Sequence, residues 1–209
     1  MSDIDYSLYV ITASNEKTGR SHGDVARAAV EGGATVIQFR DKDMDDETYA
    51  VSAATIGEIV RSGKIMFIVN DRPRAAVLAG ADGVHIGQKD LALRHVKRII
   101  GEDMVAGVSA SSFEEAMLAA AVGADYLGVG PVFVTDSKPD APGPIGLAEL
   151  TKICGAVDIP VVAIGGINES NIAKVRAAGA SGAAVISSVA GAPDMIEAVR
   201  RLKKAWERT

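Results

Sequence analysis

The sequence predicts an α/β protein: a single-domain (β/α)8 TIM barrel occupying residues 1–209. Three observations lead there. Short apolar runs alternate eight times with helix-like segments, one unit every ~20–25 residues. The helix-to-strand joints repeat as Gly32-Gly33-Ala34, Gly80-Ala81-Asp82, Gly123-Ala124-Asp125 and Gly179-Ala180-Ser181. Each supplies a residue tolerant of positive φ where a helix must end. Finally, aromatic residues make up only 4% of the chain while glycine numbers 22. The core must then be aliphatic and closely approached by backbone, as in buried parallel strands. An open doubly wound sheet is the alternative, weakened because no strand precedes a full G-x-G-x-x-G fingerprint.

The units follow in order. Ser7 to Ala13 is the first strand, and Asp24 to Glu31 has helical spacing. Ala34 to Arg40 is the second strand, followed by a helix from Asp45 to Arg61 that stops at Gly63. Ile65 to Val69 is the third strand. Pro73 suits the first turn of the helix that runs to Leu78. Gly83 to Ile86 and Met104 to Val108 are the fourth and fifth strands, with a helix from Leu91 to Ile100 between them. Phe113 to Val122 is helical, with Ser111 or Ser112 as its cap. Tyr126 to Val129 is the sixth strand, and Leu147 to Cys154 a helix. Pro160 to Ile164, a helix from Glu169 to Ala178, and Ala183 to Ile186 complete the barrel. An amphipathic helix, Pro193 to Arg208, closes the chain.

Composition narrows the function. The net charge of −5 argues against a nucleic-acid partner held through phosphates. It leaves room for an anionic small molecule, which needs only local positive charge. Cys154 is the lone cysteine, so no intrachain disulfide forms. No cationic apolar leader opens the sequence, and no apolar stretch approaches the ~20 residues needed to cross a bilayer. A cytoplasmic protein without membrane partners is expected; a homo-oligomer remains open.

In a barrel, chemistry gathers at the C-terminal strand ends. After the second strand, Gln38, Arg40 and Lys42 share one face by alternation, with Ile37 and Phe39 on the other. Two cations and an amide suit a phosphate or pyrophosphate; the rival is a salt-bridged layer with Asp41, Asp43 and Asp45. Asn70-Asp71-Arg72 follows the third strand and also reads as an Asx turn or cap before Pro73. Asp90 follows the fourth strand and also reads as a helix cap. Taken together, Asp71 and Asp90 on adjacent strands make a hard-cation site, with Mg²⁺ the natural occupant. His85 reads as a satisfied core histidine, and three scattered histidines give no zinc spacing. Ser109 lies near the end of the fifth strand. The sixth strand ends in Gly130-Pro131, and its loop collects Thr135, Asp136, Ser137 and Lys138. Gly165-Gly166 and Ser187-Ser188 offer bare backbone and hydroxyls after the last two strands, where many barrels bind phosphate. Two anion subsites emerge. One is cationic, from Gln38, Arg40, Lys42, Asn70, Asp71, Asp90 and Lys138; the other is neutral, from Thr135, Ser137, Gly166, Ile186 and Ser187. Two phosphorylated small-molecule substrates follow.

These residues resemble the thiamine-phosphate synthase (thiamine-phosphate pyrophosphorylase) family. The marks are LYVIT at Leu8 to Thr12, GGATVIQFRDK at Gly32 to Lys42, VNDR at Val69 to Arg72 and GADGVHIGQKDL at Gly80 to Leu91. They continue with GVS at Gly107 to Ser109, GADYLGVGPVFVTDSK at Gly123 to Lys138, VAIGGI at Val162 to Ile167 and AAVISSV at Ala183 to Val189. The resemblance implies a transferase that joins a hydroxymethylpyrimidine pyrophosphate to a thiazole phosphate and releases pyrophosphate. By resemblance, Gln38, Phe39, Arg40, Asp41, Lys42, Asn70, Ser109 and Lys138 hold the pyrimidine substrate. Asp71 and Asp90 hold Mg²⁺. Thr135, Asp136, Ser137, Gly166, Ile186 and Ser187 hold the thiazole phosphate. Arg40, Lys42 and Lys138 would stabilise charge on the leaving pyrophosphate. The segment from Pro139 to Pro144 is expected to close over the site. Three positions depart from the family pattern: Val134 stands for a proline, Ala110-Ser111 for Thr-His or Thr-Arg, and Ala13 for an aspartate. A related thiazole tautomerase would need a histidine after the fifth strand, where Ala110-Ser111-Ser112 stands. A sugar-phosphate isomerase or lyase barrel would not require the Asp71/Asp90 pair, and a thiazole-binding regulator would not require the cationic set.

Overall fold

The structure, a computed structural model, describes residues 4–14, 19–63, 65–135, 137 and 143–208. Eight parallel strands close into a barrel in sequence order, β1 pairing with β8. They are β1 Leu8–Ile11, β2 Val36–Phe39, β3 Met66–Asn70, β4 Gly83–Ile86, β5 Val105–Ala110, β6 Tyr126–Val129, β7 Val161–Ile164 and β8 Gly182–Val185. The helices are α1 His22–Gly32, α2 Asp46–Ser62, α3 Pro73–Ala79, α4 Leu93–Ile100, α5 Phe113–Ala121, α6 Gly146–Cys154, α7 Ile172–Ala177, α8 Ser187–Ala190 and α9 Met195–Glu207. None of the described helices is long and apolar enough to cross a membrane.

Each strand is apolar on both faces, so alternation sorts its residues into two cores. Val10, Ile37, Phe39, Val69, Leu127 and Ala163 face outward, into the layer shared with the helices. Tyr9, Ile11, Val36, Ile68, Tyr126 and Val162 face inward and fill the barrel. The four joint glycines hold positive φ as expected: 87° at Gly33, 60° at Gly80, 90° at Gly123 and 95° at Gly179.

Side chains fix several helix starts. Ser21 and Asp24 form a capping box on α1. Asp45 accepts from the amides of Glu47 and Thr48 at the start of α2. Ser112 caps α5 by accepting from the Glu115 amide. Three expectations need correction. The short α8 after β8 was not anticipated, because four residues show no helical period. Helix α7 begins at Ile172 rather than Glu169; Asn168 and Asn171 instead build a tight turn, the Asn168 amide donating to Asn171 Oδ1 at 2.8 Å. Asp90 does not cap α4, which begins at Leu93 behind Ala92.

Closure leaves no space at the β8–β1 seam. A methyl group on Gly182 would lie 1.9 Å from the Tyr6 carbonyl oxygen, a backbone contact that no rotamer relieves. Gly182→Ala should lower stability by about 1–3 kcal/mol and the melting temperature by roughly 3–10 °C. Gly143→Ala, with nothing within 4 Å, should melt like the parent in the same calorimetric scan.

Candidate active site

All eight strand ends contribute to one cavity of about 380 Å³ at the C-terminal mouth of the barrel. Its cationic side is built by β2. Gln38, Arg40 and Lys42 line the cavity. Phe39 points the other way: it is fully buried, 4.5 Å from the Tyr49 ring and 5.1 Å from the His22 ring. Asp41 also turns from the cavity. Its Oδ2 lies 3.0 Å from His22 Nε2, and its Oδ1 accepts from the amides of Asp43 and Met44. His22 Nδ1 in turn meets Thr12 Oγ1 at 2.9 Å. The side chains of Phe39 and Asp41 thus brace the segment that carries Arg40 and Lys42. The salt-bridged alternative does not form: Asp45 caps α2, and among the described residues no carboxylate pairs with Arg40 or Lys42.

Asn70 ends β3 and lines the cavity, and its Nδ2 donates to Asp71 Oδ2 at 2.7 Å. Asp71 has φ 46°, the one non-glycine residue with positive φ among those described. It does not cap α3, where no side chain does so. Burial and then the charge of Asp90 push its carboxyl above the usual range, against Lys42, Arg72 and Arg40. Asp90 lines the cavity, its Oδ2 accepting from the Gly87 amide at 2.6 Å. Asp71 itself is not among the residues lining the cavity, but its carboxyl lies within reach of the charges of Asp90, Lys42 and Arg40. The two carboxylates are the oxygen donors that a hard cation such as Mg²⁺ would use, its shell normally completed by water and substrate phosphate. No group of three or more acidic, histidine or cysteine side chains gathers among the described residues, so a cage made wholly of protein ligands is not offered there. Arg72 is structural. It stacks 4.2 Å above the Tyr49 ring, donates to the Met44 carbonyl at 2.6 Å, and lies 2.9 Å from Asp46 Oδ1.

The neutral side is built by two interlocked loops. Gly130-Pro131 is a cis peptide. Beyond it, the Val132 amide donates to the Ile164 carbonyl at 2.8 Å and the Phe133 amide to the Gly165 carbonyl at 3.1 Å. Gly165 and Gly166 have φ of 99° and 65°. A methyl group on Gly165 would lie 2.4 Å from Pro131 Cβ, and one on Gly166 2.4 Å from the Val134 carbonyl oxygen. Ser137 Oγ donates to Ser187 Oγ at 3.1 Å, and the Ser137 amide to Thr135 Oγ1 at 3.2 Å. Thr135, Ser137, Gly166, Ile186 and Ser187 all line the cavity. Behind α8, Arg20 donates to the carbonyls of Ala190, Ala192 and Pro193. Asp136, Lys138 and residues 139–142 of the expected closing segment lie outside the described residues. Of the departures, Val134 is 78% exposed and Ala110 is buried at the cavity wall.

The cavity floor holds residues that sequence reasoning did not select. Gln38 Nε2 donates to Tyr9 Oη at 2.7 Å, and Tyr9 Oη meets Tyr126 Oη at 3.0 Å. Tyr126 Oη lies 3.0 Å from His85 Nδ1, and His85 Nε2 lies 2.9 Å from Ser109 Oγ. His85 is therefore satisfied, as expected, but it also lines the cavity with Tyr9, Tyr126 and Ser109. The signal was present: tyrosines are scarce in this chain, and two of the four fall at inward positions of strands.

Residues 8–189 match a family model described as thiamine monophosphate synthase. The thiamine-phosphate synthase of Methanoculleus marisnigri is 48% identical over 200 residues, covering 96% of this chain and 95% of that protein. The thiamine-phosphate synthase of Chloroflexus aurantiacus is 46% identical over 200 residues, covering 96% and 92%. A thiamine phosphate pyrophosphorylase structure from Pyrococcus furiosus superposes with a TM-score of 0.88 at 40% identity, covering 98% of this chain and 96% of that one.

The bracing role of Asp41 is testable through pH. Burial raises its carboxyl, but the Asp43 and Met44 amides and the His22 ring outweigh this and hold it below the usual value. A folded-state pKa below the unfolded value of about 3.9 stabilises the fold above that value and ceases to as the pH falls through the folded one. Asp41→Asn should cost about 1–2 kcal/mol near pH 7. The deficit should shrink below about pH 4, as read by thermal melts across that range.

Proposed function

The chain belongs to the thiamine monophosphate synthase family, a family of transferases, and from that premise we propose the reaction it carries out. It joins hydroxymethylpyrimidine pyrophosphate to the thiazole phosphate, or its carboxylate, and releases pyrophosphate and thiamine phosphate. The observation that carries this reading is the unlike lining of one cavity, which suits two different anions. Arg40 and Lys42 stand on one side without carboxylate partners among the described residues, and backbone and hydroxyl donors stand on the other.

The chemistry follows from this lining. A primary carbon on an electron-rich aminopyrimidine ionises when its leaving group is stabilised. Arg40, Lys42 and Lys138 supply that stabilisation, with Asn70 orienting the pyrophosphate. Asp71 and Asp90 would hold Mg²⁺, which when bound contributes further positive charge to the pyrophosphate oxygens. Ser109 and Gln38 address the pyrimidine ring. The thiazole nitrogen, held by Thr135, Asp136, Ser137, Gly166, Ile186 and Ser187 through its phosphate, then attacks the cationic methylene. That nitrogen carries no proton, so the step requires no side-chain nucleophile or base. Positioning and electrostatics supply the acceleration. The tautomerase alternative is disfavoured because Ala110 and Ser111 occupy the cavity wall where its histidine would stand.

Pyrophosphate release from the two substrates with Mg²⁺ tests the reading directly. Release should require both substrates; none, with the thiazole phosphate still bound, would overturn it. Asp71→Asn suits the left-handed backbone, since asparagine tolerates it, and should remove most Mg²⁺-dependent turnover while the melting curve is retained. Lys138→Ala should lower kcat by about 100-fold while shifting the thiazole phosphate KM by less than about threefold.

A further inference from the structure

The floor of the cavity is a continuous chain of hydrogen bonds from β2 to β5: Gln38, Tyr9, Tyr126, His85, Ser109. The barrel is shaped around it. A methyl group on Gly107 would lie 2.1 Å from Tyr126 Cζ, and one on Gly128 would lie 2.7 Å from His85 Cε1. The Tyr126 ring fits because the adjacent strand β5 carries glycine at 107, and the His85 ring because β6, two strands along, carries glycine at 128. Tyr126 is further wedged against Tyr6, with ring centroids 5.0 Å apart.

The chain has a direction. The amide nitrogen of Gln38 only donates, so Tyr9 Oη accepts there and has one hydrogen left to give. In a site where Tyr9 is 2% exposed, that hydrogen goes to Tyr126 Oη. The opposite assignment would leave the Tyr9 hydrogen without an acceptor, at a cost of about 1–3 kcal/mol. Tyr126 then gives its own hydrogen to His85 Nδ1. Neutral His85 with an accepting Nδ1 carries its proton on Nε2, which donates to Ser109 Oγ. The Ser109 hydrogen then has no acceptor among the described residues and is left for the cavity. At the other end, Gln38 Oε1 accepts from no described residue.

We propose that Tyr9, Tyr126 and His85 are positioning residues that order these protons, presenting Ser109 to the cavity as a donor and Gln38 as an acceptor. This inference rests on the proposed function and specifies how its pyrimidine is selected. The floor takes a ring that offers an accepting nitrogen at one edge and a donating amino group at another. An aminopyrimidine does so. The oxo analogue, with a carbonyl in place of the amino group, is refused, because its oxygen would face the accepting Gln38 Oε1 with no hydrogen between them.

Two measurements test it. The first needs no substrate: nitrogen-15 correlation spectra of the free protein near pH 8 report the tautomer of each of its three histidines. His85, assigned by the loss of its signals in His85→Gln, should be neutral with the proton on Nε2. A proton on Nδ1 would overturn the inference. The second compares turnover of the aminopyrimidine pyrophosphate with that of its oxo analogue. Tyr126→Phe removes one oxygen and keeps the ring in place. It should cut the amino-over-oxo preference in kcat/KM by about 10-fold or more while leaving the thiazole phosphate KM within about twofold. Tyr9→Phe should do the same and serves if Tyr126→Phe does not fold. An unchanged preference in a folded variant would overturn the inference. A wild-type protein that turns over neither ring would instead defeat the proposed function, and the tautomer would remain the test of the relay.

Discussion

Every strand of this barrel has two apolar surroundings to satisfy at once, and the rest of the structure depends on that constraint. Alternation sends each residue either outward to the helices or inward to the barrel. A polar side chain at an inward position near the strand end therefore meets the cavity, and one at an outward position does not. Gln38 and Phe39 are adjacent in sequence and lie on opposite sides of the sheet for this reason alone. The inward layer is also where the chain places three of its four tyrosines, Tyr6, Tyr9 and Tyr126, because few other side chains span a barrel and end in a polar group.

The charged groups follow a similar division of labour. Acidic residues near Arg40 and Lys42 are committed elsewhere: Asp41 to His22 and two amides, Asp45 to the start of α2, Asp46 to Arg72. The cations are thereby left to the cavity while the loop bearing them is held. On the adjacent strands, Asn70 donates to Asp71 Oδ2 while Arg72 Nε lies 3.9 Å from its Oδ1, and the Gly87 amide donates to Asp90 Oδ2. Each carboxylate is thus oriented by the protein before any ligand arrives.

Much of this was legible in the sequence because it is local. The bounds of β4 and β6 were read correctly where glycine, aspartate or proline marks both ends. Alternation alone put Gln38, Arg40 and Lys42 on one face. What was not legible is long-range or too short to have a period. The Tyr9–Tyr126 bond joins residues 117 apart in sequence, and nothing near either announces the other. Asp41 belongs by resemblance to a substrate segment, but its partner His22 comes from the start of α1. Asp71, with its positive φ, sits at the centre of a tight turn in which the Arg72 amide donates to the Asn70 carbonyl at 2.7 Å, while its own amide reaches across the sheet to the His85 carbonyl, a partner that the local sequence does not mark. Helix α8 has only four residues, too few for any pattern.

The interlock between the loops after β6 and β7 has a consequence for how such a chain can change over time. Pro131 and the Val134 carbonyl occupy the space that a side chain at 165 or 166 would need, and two backbone bonds join the segments. A replacement in one segment is therefore judged by the other. Lineages should keep residues 130–134 and 164–166 as a pair or exchange them together, so drift at the neutral side of the site proceeds by paired steps.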